Sequence, residues 1–180
     1  MLINLAIWVQ NLEVFTDLRA SAYAYPILLA LHLIGIAMFG GMVLLTDLRM
    51  LGWAMRSYPI ADLIKHTRNF KRVGLVFAGT CGLLLFCSKA EGYYYNPFFR
   101  AKVTLFALVI VHAMVFRGSI YNKPDEIEGN AALLSRARTA AWMSLTLWTC
   151  ILIAGRAIGY LMAPSGLHFA GLFVPFTSTL

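Results

Sequence analysis

Apolar and polar positions alternate along this chain on a scale of whole helices rather than single residues. Four long apolar runs are separated by short polar segments. Residues 26–45 (PILLALHLIGIAMFGGMVLL) contain no formal charge, and residues 97–116 become cleanly apolar after Phe98, Phe99, Arg100 and Lys102. Residues 139–162 are apolar except for Arg156, while residues 73–88 form a shorter run flanked by Lys71, Arg72 and Lys89. A helix of about 20 apolar residues crosses a bilayer. The shorter run reaches the same thickness when its flanking cations extend to the headgroups.

Two further segments have one apolar face. In residues 1–20, Leu5, Trp8, Val9, Leu12 and Phe15 follow helical spacing, with Glu13 and Asp17 opposite. That pattern suits an amphipathic helix in the membrane interface, or one packed on the bundle. No basic stretch precedes its apolar residues, and Asn4, Gln10, Asn11 and Glu13 interrupt them, unlike a signal peptide. In residues 57–72, Ile60, Leu63 and Ile64 oppose Asp62, Lys65, Arg68 and Lys71. This segment is expected to continue into the second run as one helix projecting from the membrane. The predicted fold is all-α and integral to the membrane: a single domain over 1–180, with a four-transmembrane-helix bundle and an N-terminal amphipathic interfacial helix.

Composition supports this pattern. Hydrophobic residues make up 60% of the 180 and charged residues 13%, against about half and a quarter in soluble proteins. The mean hydropathy is +0.72. A small soluble domain could not bury that much apolar surface. Lysine and arginine number 15 against 8 acidic residues. An excess of that kind suggests nucleic acid in a soluble protein, but here it sits in the gaps between runs. Arg49, Arg56, Lys65, Arg68, Lys71 and Arg72 fill the first gap; Arg117, Lys123, Arg136 and Arg138 fill the third. The positive-inside rule places both basic loops in the cytoplasm and both termini outside. Tyr23, Tyr25, Tyr93, Tyr94, Tyr95, Phe98, Phe99 and Tyr160 then form an outer aromatic belt. The expected partners are the lipid bilayer and other membrane or periplasmic subunits, with no nucleic acid. Cys81, Cys87 and Cys150 lie inside apolar runs without metal or disulfide spacing and read as packing.

Ionisable groups inside a membrane are costly and mark sites or partners. At 1.5 Å per residue, His32 lies roughly 9 Å below the outer boundary, Lys102 roughly 7 Å and Arg156 roughly 9 Å. An imidazole and two cations at one level suit haem b. His32 would be the axial ligand, Lys102 and Arg156 would meet the propionates, and Gly35 would let the flat macrocycle approach the backbone. A quinone hydrogen-bonded to His32 would use the same groups, and Glu91 is a plain salt-bridge alternative for Arg156. His112 is the second candidate metal ligand, although it sits roughly 12 Å deeper than His32. His168, beyond the fourth run, and His66 are the remaining histidines.

The other polar and small residues have structural readings. Gly74, Ala78 and Gly82, and Gly155 with Gly159, form small-residue rows of the kind that pack membrane helices. Met38, Met42 and Met50 read as core filling rather than a copper path. Asp47 and Arg49, two residues apart, do not face each other on a helix. Each is expected to pair with a neighbouring helix or loop in a structural role, with a proton or cation role as the alternative. No phosphate-binding loop or nucleophile–base pair is present.

The segments YPILLALHLIGIAMFGGMVLLTDLRMLG, NPFFRAK, SLTLW and AGRAIGY resemble a bacterial family of small four-helix membrane proteins of unknown function, over about residues 23–160. The resemblance implies that His32, Asp47, Arg49, Lys102 and Arg156 occupy the family's characteristic positions. His112 departs from the pattern, since family members place a third-span histidine nearer Phe116 and Arg117. The Leu-His-x-x-Gly of the first run is more distantly similar to copper-resistance D proteins and to membrane-bound haem-containing protoporphyrinogen oxidases. The expected function is a membrane-embedded b-type haem protein, taking part in electron transfer within a larger respiratory or redox complex. The alternative is a non-catalytic accessory membrane subunit that anchors or stabilises a complex without a cofactor. A transporter ranks third, because no run shows the interruption that builds discontinuous helices.

Overall fold

The computed structural model describes residues 2–162, in which the secondary structure is helical and no strand occurs. Two short helices, α1 (Leu2–Gln10) and α2 (Glu13–Ala20), precede α3 (Ala24–Leu51) and α4 (Ile60–Ser88). After the single-turn α5 (Ala90–Tyr95) come α6 (Pro97–Phe116), a π-helical turn at Arg117–Tyr121, a 3-10 turn at Pro124–Glu126, and α7 (Ala131–Met162). Four of these helices, α3, α4, α6 and α7, are long and apolar enough to cross a membrane. His168 lies outside the described residues.

Local sequence sets the helix ends. The Ser21 hydroxyl accepts from the Ala24 amide at 3.0 Å, and Pro26 suits the first turn of α3. That helix stops at Gly52, which adopts φ +76°, while Gly52 and Trp53 amides return to the Arg49 and Leu48 carbonyls. A left-handed residue there favours glycine. Asn96 caps α6 by accepting from the Phe98 and Phe99 amides, with Pro97 in the first position. Asn130 caps α7 in the same way. As the amphipathic pattern predicts, residues 60–72 and the second apolar run form one continuous helix.

The N-terminal segment differs from the single amphipathic helix expected over 1–20. It breaks at Asn11–Leu12, and the freed backbone is captured by side chains. Arg19 donates to the Gln10 carbonyl at 2.7 Å and to the Ser88 carbonyl at 2.6 Å. Gln10 donates to Glu91 at 2.9 Å, and the Glu91 amide donates back to the Gln10 side chain at 3.0 Å. These bonds tie α1 and α2 onto the junction of α4 and α5.

The principal contacts of the long helices run α4–α3–α7–α6. At the α5 end, Phe86 of α4 stacks on Phe99 of α6, with ring centres 5.2 Å apart and 8° between planes, and Tyr93 packs beside both. Small residues bring α3 against α4. A Cβ added to Gly35 would lie 2.8 Å from the Ala78 backbone nitrogen, and one on Gly74 would lie 2.8 Å from that of Phe39. The opposite, basic-loop end holds the main core: Met50, Ile60, Ile64, Ile120, Ile127, Ala137, Ala140 and Ala141. Outward faces are apolar on all four long helices, for example at Leu33, Val76, Val115 and Ile153.

Candidate functional site

His32 of α3 stands where α4 comes nearest. Its Nδ1 lies 2.8 Å from the Ala78 carbonyl oxygen. A carbonyl only accepts, so Nδ1 carries a proton, and in the neutral imidazole Nε2 keeps its lone pair. A metal-ligating imidazole is commonly oriented in this way, with one ring nitrogen donating to a carbonyl and the other left to bind. The ring edge rests on Gly82, where an added Cβ would come 2.8 Å from Cε1 and 3.6 Å from Nε2. Gly82 therefore makes room for this imidazole.

Lys102 of α6 joins His32. Its charge lies close enough to act on the imidazole, and its Nζ would stand 3.4 Å from a Cβ on Gly155 of α7. The small residue at 155 thus lets the lysine stem cross the face of α7. Nζ also lies 5.9 Å from the centre of the Phe106 ring. Among the described residues, Lys102 has neither an acidic partner within salt-bridge distance nor a hydrogen-bond acceptor. A half-buried cation near an imidazole is an arrangement that an anionic group would complete.

The remaining expected site residues lie elsewhere. The Gly35 face is occupied by the Ala78 backbone of α4, so this glycine serves helix packing instead of leaving space for a macrocycle. Arg156 is exposed and its guanidinium lies 4.9 Å from the Tyr160 ring centre. Glu91, its alternative partner, is engaged by Gln10. His112 is buried, and its Nε2 donates to the Ala140 carbonyl of α7 at 3.0 Å. It lines an apolar groove of about 610 Å³ between α6 and α7, with Phe116, Trp142 and Thr146. His66 bonds the Asp62 carbonyl of its own helix through Nδ1 and approaches Tyr58. The structure thus brings together His32 and Lys102, out of the five residues that the sequence grouped. No cluster of three or more histidine, cysteine or acidic side chains suited to a metal occurs among the described residues.

A polar group read first as structural in the sequence, with a proton or cation role as the alternative, proves to be deeply buried. Asp47 is 1% exposed, at the basic-loop end of α3. Ser144 of α7 and Lys71 of α4 lie close to its carboxyl, as does Tyr121. Arg49 turns the other way, as the two-residue spacing requires, donating to the Tyr58 carbonyl and to Glu128, both at 2.6 Å. The sequence signal for this cluster was Lys71, a cation at the margin of an apolar run one helix away from an aspartate at the same margin.

No curated protein and no solved structure matches the chain. A family model does match, across residues 19–161. With all four long apolar helices within that match, apart from the last residue of α7, the chain belongs to DUF6644, a family of unknown function.

Proposed function

We propose that this is a multi-pass protein of a bacterial inner membrane that holds haem b through His32 and takes part in electron transfer within a larger redox complex. The observation that carries this reading is the state of His32, whose Nδ1 proton is committed to the Ala78 carbonyl and whose Nε2 is left as a donor. Lys102, without an acidic partner among the described residues, is the cation suited to a propionate. Haem b would supply one-electron chemistry at this position. The protein's own part is to fix the imidazole tautomer, place one positive charge beside it and surround both with apolar helices. The fit extends to these two residues. Gly35, His112 and Arg156 are committed to other contacts, so the reading rests on one histidine ligand. The basic loops support an orientation with α3–α4 and α6–α7 joined in the cytoplasm.

The absorption spectrum of protein purified from haem-replete cells tests this directly. Reduced b-type bands are expected in the wild type and lost in His32→Ala, whereas Lys102→Met keeps the bands with reduced haem retention. A colourless wild type that takes up no added haemin would overturn the reading. One observation favours the accessory-subunit alternative: Gly35, Gly74, Gly82 and the His32 hydrogen bond all serve contact between α3 and α4. A colourless protein that co-purifies with a stable membrane complex would establish it.

A further inference from the structure

Among the described residues, one buried side-chain nitrogen or oxygen has no hydrogen-bond partner: Oδ2 of Asp47. Polar groups from α4, α7 and the π-helical turn lie near it. From α4, Lys71 brings its Nζ to the Thr46 hydroxyl at 2.7 Å, and its charge reaches the Asp47 carboxyl. From α7, the Ser144 hydroxyl lies near the carboxyl. From the π-helical turn, Tyr121 faces it. On α3 itself, Thr46 donates to the Met42 and Val43 carbonyls, and Arg49 is directed away toward Glu128.

This geometry does not suit a permanently ionised aspartate. A buried carboxylate is tolerated when both oxygens accept hydrogen bonds and a counter-ion meets it directly. Here Oδ2 accepts none, and no salt bridge joins Asp47 to Lys71, whose closest contact is Thr46. A bound metal ion is no better match: Lys71 already supplies a positive charge, and no cluster of suitable ligands is found among the described residues. A proton needs neither extra space nor further ligands. We propose that Asp47 is a proton-binding site, which takes up and releases one proton at the basic-loop end, with Lys71, Ser144 and Tyr121 as the polar groups around its carboxyl. The inference does not depend on haem at His32, which lies about four helical turns away along α3.

Infrared spectroscopy of the full-length protein in nanodiscs reads the carboxyl directly. The wild type should show a protonated-carboxyl stretch at neutral pH that fades as the pH is raised. Asp47→Asn should remove it, and Glu128→Gln should leave it in place. In Lys71→Met the band should persist to more alkaline pH, because a nearby cation favours the ionised form. If Asp47→Asn does not fold, carbon-13 labelling of aspartate carboxyls in the wild type must shift the same band. The proposal is overturned if no neutral-pH band shifts with that label or disappears in Asp47→Asn. It is equally overturned if the band stays constant from acid to alkaline pH, since Asp47 would then be a fixed structural acid.

Discussion

Near His32, α3 and α4 are held by backbone lying against backbone, whereas near Met50 the helices are held by side chains filling one another's gaps. In the first region Gly35 faces the main chain of Ala78, and Gly82 accommodates an imidazole. Large apolar side chains there point outward, as at Leu33 and Ile34. In the second region Met50, Ile60, Ile120 and Ile127 are almost wholly enclosed. In a bilayer, lipid would not drive such helices together by burying apolar area, which leaves that role to close backbone approach and specific packing. At the basic-loop end the helices and turns enclose a core of the kind found in soluble proteins. The comparison separates the two candidate sites as well. His32 and Lys102 occupy the more open region, and Asp47 the enclosed one.

The largest expected effect comes from emptying the enclosed region. Met50 is 1% exposed, and truncating a buried side chain of this size costs about 2–5 kcal/mol through lost burial and the cavity left behind. Met50→Ala should lower the unfolding midpoint in detergent by a corresponding amount. Leu33→Ala, at a site 57% exposed, should change it by less than about 1 kcal/mol. Equal losses at both positions would erase the distinction between the two ends.

Much of this architecture is legible in the sequence because it follows from runs of like residues. The four apolar runs, the continuity of residues 60–72 with α4, and Pro97 at the start of α6 need only local information. Arg49 turning away from Asp47 needs only helical spacing. The break at Asn11–Leu12 depends on Arg19 and Gln10 reaching Ser88 and Glu91, which are distant in the chain. The site was partly legible for the same reason. Depth along a helix follows from residue counting, and it puts His32, Lys102 and Arg156 at one level. Rotation about the helix axis does not follow from depth, so the turn of Arg156 toward the Tyr160 ring is not legible there. Gly35 shows the same ambiguity, because a bare helix face suits a macrocycle and another helix equally well.

The next effect tests the backbone contact itself. A methyl group at Gly35 would meet the main chain of Ala78, which cannot rotate aside, whereas Gly40 has nothing within 4 Å of an added Cβ. Gly35→Ala should therefore cost about 1–3 kcal/mol as overpacking. Gly40→Ala should be neutral or slightly stabilising, as alanine is the better helix former. Thermal unfolding of the two variants side by side checks this. If they behaved alike, the close approach of α3 and α4 would not be what stabilises the region around His32.

The smallest effect compares the two ends through their tyrosines at alkaline pH. Burial, reinforced by the nearby Asp47 carboxyl, pushes the Tyr121 hydroxyl above the usual phenol range. At the aromatic end burial does the same to Tyr93, with Tyr25 beside it. An unfolded tyrosine ionises near pH 10, give or take a few tenths, at about the model-peptide value. The folded state holds its proton to higher pH, so the unfolded chain loses protons first. Each tyrosine's contribution is therefore fully present below about pH 10 and declines as the pH rises above it, by up to about 1.4 kcal/mol per pH unit. Tyr121→Phe and Tyr93→Phe should each flatten the fall in stability between neutral and strongly alkaline pH. The enclosed end predicts the larger flattening for Tyr121, because its turn packs directly on the core that contains Ile120. A larger change for Tyr93 would mean that the stacked aromatic rings, rather than the Met50 core, form the more tightly closed end of the molecule.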